Sequence, residues 1–300
     1  MENIVNKAEN KLVFNGFILK LIAIIMMTCD HIGVLLESFY PSQTIAIYIL
    51  RCLGRLALPL FCFLIVEGAL HTRSIKKYII RLSIFALLIS TFLGICYFIK
   101  DYRSLADNGN IFIDLLLGAT MVYLLKQDNK YLKPLAIIPF LIGILSFTLK
   151  AYEVGNDATI YWYPSFLRLQ YDWVSIAYIG VFYFSYLIIK YIWERKTNTS
   201  ISSIEGTTYW RFQVNLTLLF ALIIVSLLHY ASSYLFPNTS YIFWDRNVQL
   251  LSIFSGALIL LYNGKRGYNP KWFQYGCYLY YPLHLIVLVG IFYLCSVLFG

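Results

Sequence analysis

The stretch that decides the fold is Phe17–Leu36, which reads FILKLIAIIMMTCDHIGVLL. It is nearly all apolar, and about 20 apolar residues are what an α-helix needs to cross the hydrocarbon of a bilayer. Similar runs recur along the chain at 45–70, 78–99, 111–126, 133–149, 173–193, 212–235, 248–263 and 276–298. These runs predict an all-α, polytopic transmembrane helix bundle with about nine spanning helices. A tenth helix hidden in the segment 150–172 is the alternative, although a re-entrant or interfacial piece is favoured there.

The composition agrees with a chain that is surrounded largely by lipid. Hydrophobic residues make up 60% of the 300 positions and charged residues only 13%, whereas soluble domains contain roughly 45–50% and 25%. This balance excludes a soluble enzyme, a disordered protein and a disulfide-stapled secreted module. No linker separates two soluble domains, so residues 1–300 are predicted to form one membrane-embedded domain.

The basic net charge is explained by membrane topology. The charge of +9 comes from 24 Lys and Arg against 15 Asp and Glu, and cytoplasmic loops of membrane proteins collect Lys and Arg. These residues concentrate in every second loop, which predicts a cytoplasmic N-terminus and no nucleic-acid partner. The six cysteines lie in apolar runs and lack metal or redox spacing, so we predict no metal site.

A few ionisable residues lie inside the apolar runs, where a charge costs several kcal/mol and is usually functional. The first run contains Asp30 and His31, and the second contains Arg51 and Arg55, which are four residues apart and share a helix face. At about 1.5 Å per residue, all four fall in the half of the membrane opposite the N-terminus. The ninth run contains His284. We take these five residues as the candidate catalytic set.

Two interpretations of this set remain open. Asp30, Arg51 and Arg55 can form a buried ion cluster that only fixes helix packing, or they can take part in chemistry. In the second case His31 acts as a general base near neutral pH, with His284 as the second choice. Asp30 then either orients His31 or holds an arginine, because adjacent residues on a helix point about 100° apart.

Basic residues also gather in two loops on the side predicted to be cytoplasmic. The positive-inside rule accounts for their charge. In the turn from Asn263 to Gly267, however, glycines permit close approach of a ligand, and Lys with Arg matches phosphate groups. Phosphate binding is therefore a second hypothesis, and its candidate residues are Arg73, Lys76, Lys77, Arg81, Asn263, Lys265 and Arg266.

Several motifs occur in the order known from one protein family. They are Leu19–Gly33, Arg51–Phe61, Glu67–Gly68, His71–Arg73, Tyr78–Arg81, Asn110–Phe112, Leu116–Gly118, Tyr171–Trp173, Gln249, Tyr262–Gly267 and Tyr280–His284. Together they resemble the TraX family, which is named for the membrane protein that acetylates the amino terminus of F-type conjugative pilin. The motifs extend over nearly the whole chain.

The resemblance implies a membrane acetyltransferase of the bacterial cytoplasmic membrane. Acetyl-CoA would be the co-substrate, with its nucleotide end on the basic loops and its thioester near Asp30 and His31. The acceptor would be an amine or hydroxyl of a peptide or glycan near the outer face. An arginine could stabilise the oxyanion, and a covalent acetyl-histidine is an alternative route.

Two rival functions come from other classes. The first is a transporter or flippase that uses Asp30, Arg51, Asp114 and His229 as a proton or substrate relay. Inverted repeats and paired broken helices would favour it, and the sequence shows neither. The second is a non-catalytic partner or immunity protein, which has little need for several charges at one depth.

Overall fold

A computed structural model describes residues 12–99, 106–107, 109–197, 206–235 and 246–299. In these ranges the regular structure is helical, apart from one parallel bridge between Phe14 and Tyr262. The α-helices are α1 Gly16–Phe39, α2 Thr44–Gly54, α3 Ala57–His71, α4 Ile75–Phe98, α5 Ile111–Leu125, α6 Ile138–Asn156, α7 Asp172–Thr197, α8 Thr208–Leu235, α9 Arg246–Leu250, α10 Ser255–Leu260 and α11 Lys271–Phe299. Short 3-10 helices occur at Lys133–Ile137, Ser165–Leu167 and Leu251–Phe254.

Every predicted apolar run is helical, but the helices differ in length. Across the described ranges, seven helical stretches are long and apolar enough to cross a membrane. The runs predicted at 111–126 and 248–263 form the shorter helices Ile111–Leu125 and Asn247–Leu260. The all-helical membrane architecture is thus confirmed, while nine spans and a cytoplasmic N-terminus stay predictions.

The chain divides into two compact units. Unit 1 comprises Met1–Phe61, Ile204–Leu219 and Asn247–Gly300, and unit 2 comprises Cys62–Ser203 and Phe220–Arg246. Each unit takes residues from separate parts of the sequence, so the division does not cut the chain into consecutive domains. The single membrane-embedded domain stays a prediction.

Unit 1 is organised by α1, which packs against α11 on one side and α2 on another. Asn15 caps α1 by accepting a hydrogen bond from the Ile18 amide at 3.0 Å, as Asn favours at this position. Phe17 of α1 contacts Phe273 near the start of α11, with ring centroids 5.0 Å apart. Near the helix ends, Phe39 contacts Phe292 at 5.9 Å. Helices α1 and α11 therefore begin together and run parallel.

The buried polar centre of unit 2 is built around Asp114, which has no exposed surface. Its carboxylate accepts hydrogen bonds from the backbone amides of Gln170, at 2.7 Å, and Tyr171, at 3.0 Å. The Ser175 hydroxyl donates a third bond at 2.6 Å. Asp114 therefore holds the start of α7 in place, a structural task that its position in an apolar run did not reveal.

We expect Asp114→Ala to destabilise the protein strongly. It leaves the backbone amides of Gln170 and Tyr171 without their acceptor, whereas the Ser175 hydroxyl keeps the Asp172 carbonyl at 3.2 Å. Each unsatisfied buried donor costs about 1–3 kcal/mol. Thermal unfolding in detergent would show the loss as a midpoint several degrees lower. The exposed Asp128 is the matched control, since Asp128→Ala removes a carboxylate without leaving a buried donor. Equal midpoints for the two variants would contradict this role.

The loop between α6 and α7 is held by buried charges. Lys150 pairs with Asp172, the first residue of α7, at 3.1 Å. Arg168 is completely buried and pairs with Glu153. The loop contains only the 3-10 helix Ser165–Leu167, so the tenth spanning helix considered for 150–172 does not occur there.

Candidate functional site

An ion cluster joins α1 and α2 in unit 1. Asp30 Oδ1 lies 3.0 Å from Arg51 Nη1 and also accepts a hydrogen bond from Arg55 Nη2. The three side chains are only 8–13% exposed. The sequence left His31 or an arginine as the partner of Asp30. In the structure, both arginines hold its carboxylate.

Two glycines allow this close approach of the helices. A Cβ at Gly33 would lie 3.0 Å from Cδ of Arg51, and a Cβ at Gly54 would overlap the Asp30 carboxyl group. Small residues let membrane helices pack closely. The short Asp30 side chain can therefore reach both guanidinium groups across the helix pair.

Gln249 completes the surroundings of Arg55. Its Oε1 accepts a hydrogen bond from Arg55 Nη1 at 3.1 Å, while Arg55 Nε donates to the Arg51 carbonyl at 3.2 Å. Gln249 is 5% exposed. The sequence motifs included Gln249, but sequence reasoning gave it no role. The feature of the sequence that could have indicated a role for Gln249 is its polar amide at the start of the apolar run 248–263.

The two candidate catalytic histidines form a direct pair. His31 Nδ1 lies 2.8 Å from His284 Nε2, and His284 Nδ1 lies 2.8 Å from the carbonyl oxygen of Tyr280. The sequence offers the two histidines as separate candidates for one role, with His284 as the second choice. The structure places them in one hydrogen-bonded chain between α1 and α11.

The direction of this chain follows from the Tyr280 carbonyl, which can only accept. His284 Nδ1 must therefore carry a proton, and in the neutral ring its Nε2 is then an acceptor. His31 Nδ1 donates to that acceptor, so the lone pair of neutral His31 is on Nε2. A general base needs a lone pair on a nitrogen that does not contact the other histidine, and in His31 that nitrogen is Nε2.

Aromatic and hydroxyl contacts fix the orientation of the histidine pair. The Tyr280 ring is parallel to the His284 ring, with centroids 4.8 Å apart. Its hydroxyl lies 2.7 Å from Thr28 Oγ1 on α1. Tyr281 presents its ring to both histidines, at 6.3 Å from His31 and 5.9 Å from His284. Sequence reasoning assigned no role to these three residues, because contacts between distant helices have no local signature.

The ion cluster and the histidine pair are neighbours along α1. Asp30, whose carboxylate holds Arg51 and Arg55, directly precedes His31 in this helix. A base and two cations therefore lie in one buried region of unit 1. Charges in such a water-poor region interact more strongly than in solvent.

The turn from Asn263 to Gly267 is a tight turn with two glycines in the left-handed region. Asn263 Oδ1 accepts from the Lys265 amide at 2.9 Å. Gly264 and Gly267 have φ of +75° and +70°, where a side chain would be strained. Lys265 and Arg266 are exposed on this turn.

The chain before α1 pins this turn at the beginning of the helix. The Gly16 amide donates to the Lys265 carbonyl at 2.8 Å, and the Asn263 amide donates to the Phe14 carbonyl at 2.8 Å. The basic turn and the first residues of α1 thus form one structure. They lie at the opposite end of α1 from Phe39.

The other basic group lies in unit 2 at the start of α4. Arg73, Lys76 and Lys77 are exposed, and Arg81 is partly buried with its guanidinium 5.9 Å from the Tyr78 ring. Cations at a helix N-terminus oppose the helix dipole. Helix stability therefore does not explain them, and their phosphate-binding role stays a prediction.

The other residues that could carry chemistry are His229 and the cysteines. His229, in unit 2, is 4% exposed and has its ring 5.9 Å from that of Trp173. The cysteines are free thiols, and Cys62 and Cys96 are buried. In the described ranges, no group of three or more His, Cys, Asp or Glu could hold a metal ion.

Comparison with known proteins supports the resemblance seen in the motifs. The family model for the TraX protein matches residues 15–191, which is more than half of the chain. The chain belongs to the TraX family. This match includes Asp30, His31, Arg51 and Arg55.

Two relatives extend the likeness beyond the family match. A probable fimbrial assembly protein, FimC of serogroup H1 from Dichelobacter nodosus, is 28% identical over 286 residues, covering 92% of the chain and 94% of the relative. The uncharacterized protein RP591 from Rickettsia prowazekii (strain Madrid E) is 27% identical over 294 residues, covering 95% and 94%. No solved structure matches this TraX-family chain.

Proposed function

We propose that this TraX-family protein is a membrane-embedded acetyltransferase that moves an acetyl group from acetyl-CoA to an amine or hydroxyl. The observation that carries the proposal is the oriented pair of His31 and His284. Its hydrogen-bond chain leaves the lone pair on His31 Nε2. Asp30, the residue before His31, holds two arginines, and acyl transfer needs both a base and positive charge.

The reaction follows from these groups. The acceptor nitrogen or oxygen attacks the thioester carbonyl while His31 Nε2 removes its proton. Charge then develops on the carbonyl oxygen, and Arg51 or Arg55 stabilises it. The tetrahedral intermediate collapses, the C–S bond breaks, and His31 returns the proton to the CoA sulfur. His284 keeps the His31 ring in the required tautomer and becomes the partner of its charged form.

The depth of the histidine pair suits a long thioester substrate. His31 lies 15 residues after Gly16, and His284 lies 13 residues after Lys271. At about 1.5 Å per residue, the pair is about 20 Å from the basic turn along two parallel helices. We therefore place the nucleotide end of CoA on Asn263, Lys265 and Arg266. The pantetheine arm extends along α1 and α11 toward the histidines.

The direction of transfer follows from the charge distribution. We place the basic turn and the N-terminus in the cytoplasm, where acetyl-CoA is made, and the protein in the bacterial cytoplasmic membrane. The acceptor then approaches from the far side as a peptide amino terminus or a glycan. The description of the Dichelobacter relative as a fimbrial assembly protein favours a peptide of the pilin type.

Purified protein in proteoliposomes tests the proposal with acetyl-CoA labelled in the acetyl group. We expect free CoA to be released, with the label passing to an acceptor supplied as a membrane extract. Label held stably on the protein with release of CoA would favour the acetyl-histidine route. Movement of a substrate across the membrane with no release of CoA would refute acetyl transfer and support the transporter.

A further inference from the structure

A cluster of aromatic side chains lies beside the basic turn in unit 1. Phe17, in the first turn of α1, contacts Tyr268 at 5.5 Å and Phe273 at 5.0 Å. Tyr268 in turn contacts Trp272 at 6.1 Å, edge to face. Phe17 and Phe273 form the base of the cluster, while Tyr268 is 55% exposed and Trp272 is 67% exposed. Two large rings are therefore open to a ligand.

Three cations surround the same cluster. Lys20 Nζ lies 5.6 Å from the centroid of the Phe273 ring. Lys265 and Arg266 follow on the exposed turn. No ion pair in the described part of the chain includes Lys20, Lys265 or Arg266. Among the described residues, this positive charge therefore has no acidic partner.

We propose that Trp272 and Tyr268 form an adenine subsite, and that Lys20, Lys265 and Arg266 bind the adjoining phosphates. The proposal rests on the proposed function, because the nucleotide is the adenosine 3′,5′-bisphosphate end of acetyl-CoA. Any nucleobase can stack on an aromatic ring, and this stacking contributes about 1–3 kcal/mol of binding free energy per base. A nucleotide needs both a stacking surface and adjoining cations. This cluster offers both beside the first turn of α1.

The rival explanation is an aromatic belt, in which Trp and Tyr anchor helices at the lipid headgroups. A belt needs only single rings on the outer face of a helix. Here the rings come from α1, the loop and α11, and the loop is fixed by two hydrogen bonds to the chain before α1. That arrangement favours a ligand with a defined shape. A lipid anchor is therefore an outcome of the test.

The test measures binding of radiolabelled adenosine 3′,5′-bisphosphate to purified full-length protein in neutral-lipid nanodiscs. We expect Trp272→Leu to weaken binding by about 5- to 150-fold, the range that corresponds to loss of stacking. Trp272→Phe should keep most of the affinity. The control is Trp162→Leu, which removes a ring that is 72% exposed in unit 2. It should leave binding unchanged.

A second measurement needs no variant. Unaltered protein should bind adenosine 3′,5′-bisphosphate at least tenfold more tightly than the ribose bisphosphate that lacks the base. Equal binding of the two ligands, or normal binding by Trp272→Leu, would refute the adenine subsite and leave these rings as lipid anchors. Normal release of CoA in that case would leave the acetyltransferase intact. Selective binding of the adenine compound without any release of CoA would refute the acetyltransferase and keep the subsite.

Discussion

We expect His31→Ala to slow the proposed acetyl transfer strongly and to leave nucleotide binding unchanged. The variant lacks the residue that we propose as general base, and general base catalysis contributes about 10²- to 10⁴-fold. We therefore expect the rate of CoA release to fall by that factor. Binding of adenosine 3′,5′-bisphosphate should not change, because His31 lies about 20 Å along α1 from the basic turn.

His284→Ala should cause a smaller loss of rate. His31 then keeps its lone pair but loses the acceptor that fixes its tautomer and orientation. The control is His71→Ala, since the side chain of His71 is 62% exposed and contacts Glu67 on the same helix. A normal rate for His31→Ala together with an inactive His284→Ala would reverse the roles of the two histidines.

Asp30→Ala should cost the most stability of any single change in the ion cluster. It leaves Arg51 and Arg55 buried without their shared carboxylate. Removing one partner of a buried ion pair costs about 3–5 kcal/mol. We expect a large drop in the thermal unfolding midpoint in detergent and loss of acetyl transfer.

A matched variant separates packing from chemistry in this cluster. Replacing all three residues with apolar ones, as Asp30→Leu, Arg51→Met and Arg55→Met, removes the unpaired charges and often restores stability. We expect such a protein to regain much of its unfolding midpoint without regaining activity. Recovery of both would show that the cluster only fixes the packing of α1 and α2.

The architecture was predictable because lipid imposes a simple rule on sequence. Apolar runs of about 20 residues must be helical in a bilayer, and every run found in the sequence is helical. The runs at 111–126 and 248–263 are already short in the sequence, and they form the shorter helices Ile111–Leu125 and Asn247–Leu260. Hydropathy measures how apolar a segment is, and it does not locate where tertiary contacts end a helix.

The contacts of the candidate site were only partly predictable from the sequence. Asp30 and His31 stood out because charge inside an apolar run is costly. The choice between His31 and arginine as the partner of Asp30 depends on Gly33 and Gly54, which bring α2 close. The pairing of His31 with His284 spans 253 positions. No local pattern sets the relative height of two helices so distant in sequence.

The structural role of Asp114 could not be recognised from the sequence. Its position in an apolar run resembles that of Asp30, so sequence reasoning treated both as members of a relay. In the structure two of the three donors to Asp114 are backbone amides. Backbone donors are present at every position and leave no mark in a sequence, whereas the guanidinium partners of Asp30 do.

The most direct test of acetyl transfer is an intact-mass comparison of peptides and glycans from cells that contain the native protein, the His31→Ala variant or no protein. Acetyl transfer predicts one species that is heavier by a single acetyl group in the presence of native protein only. If cells with His31→Ala contain the same acetylated species at the same level, or if no acetylated species depends on the native protein, the account of this site as an acetyltransferase is wrong.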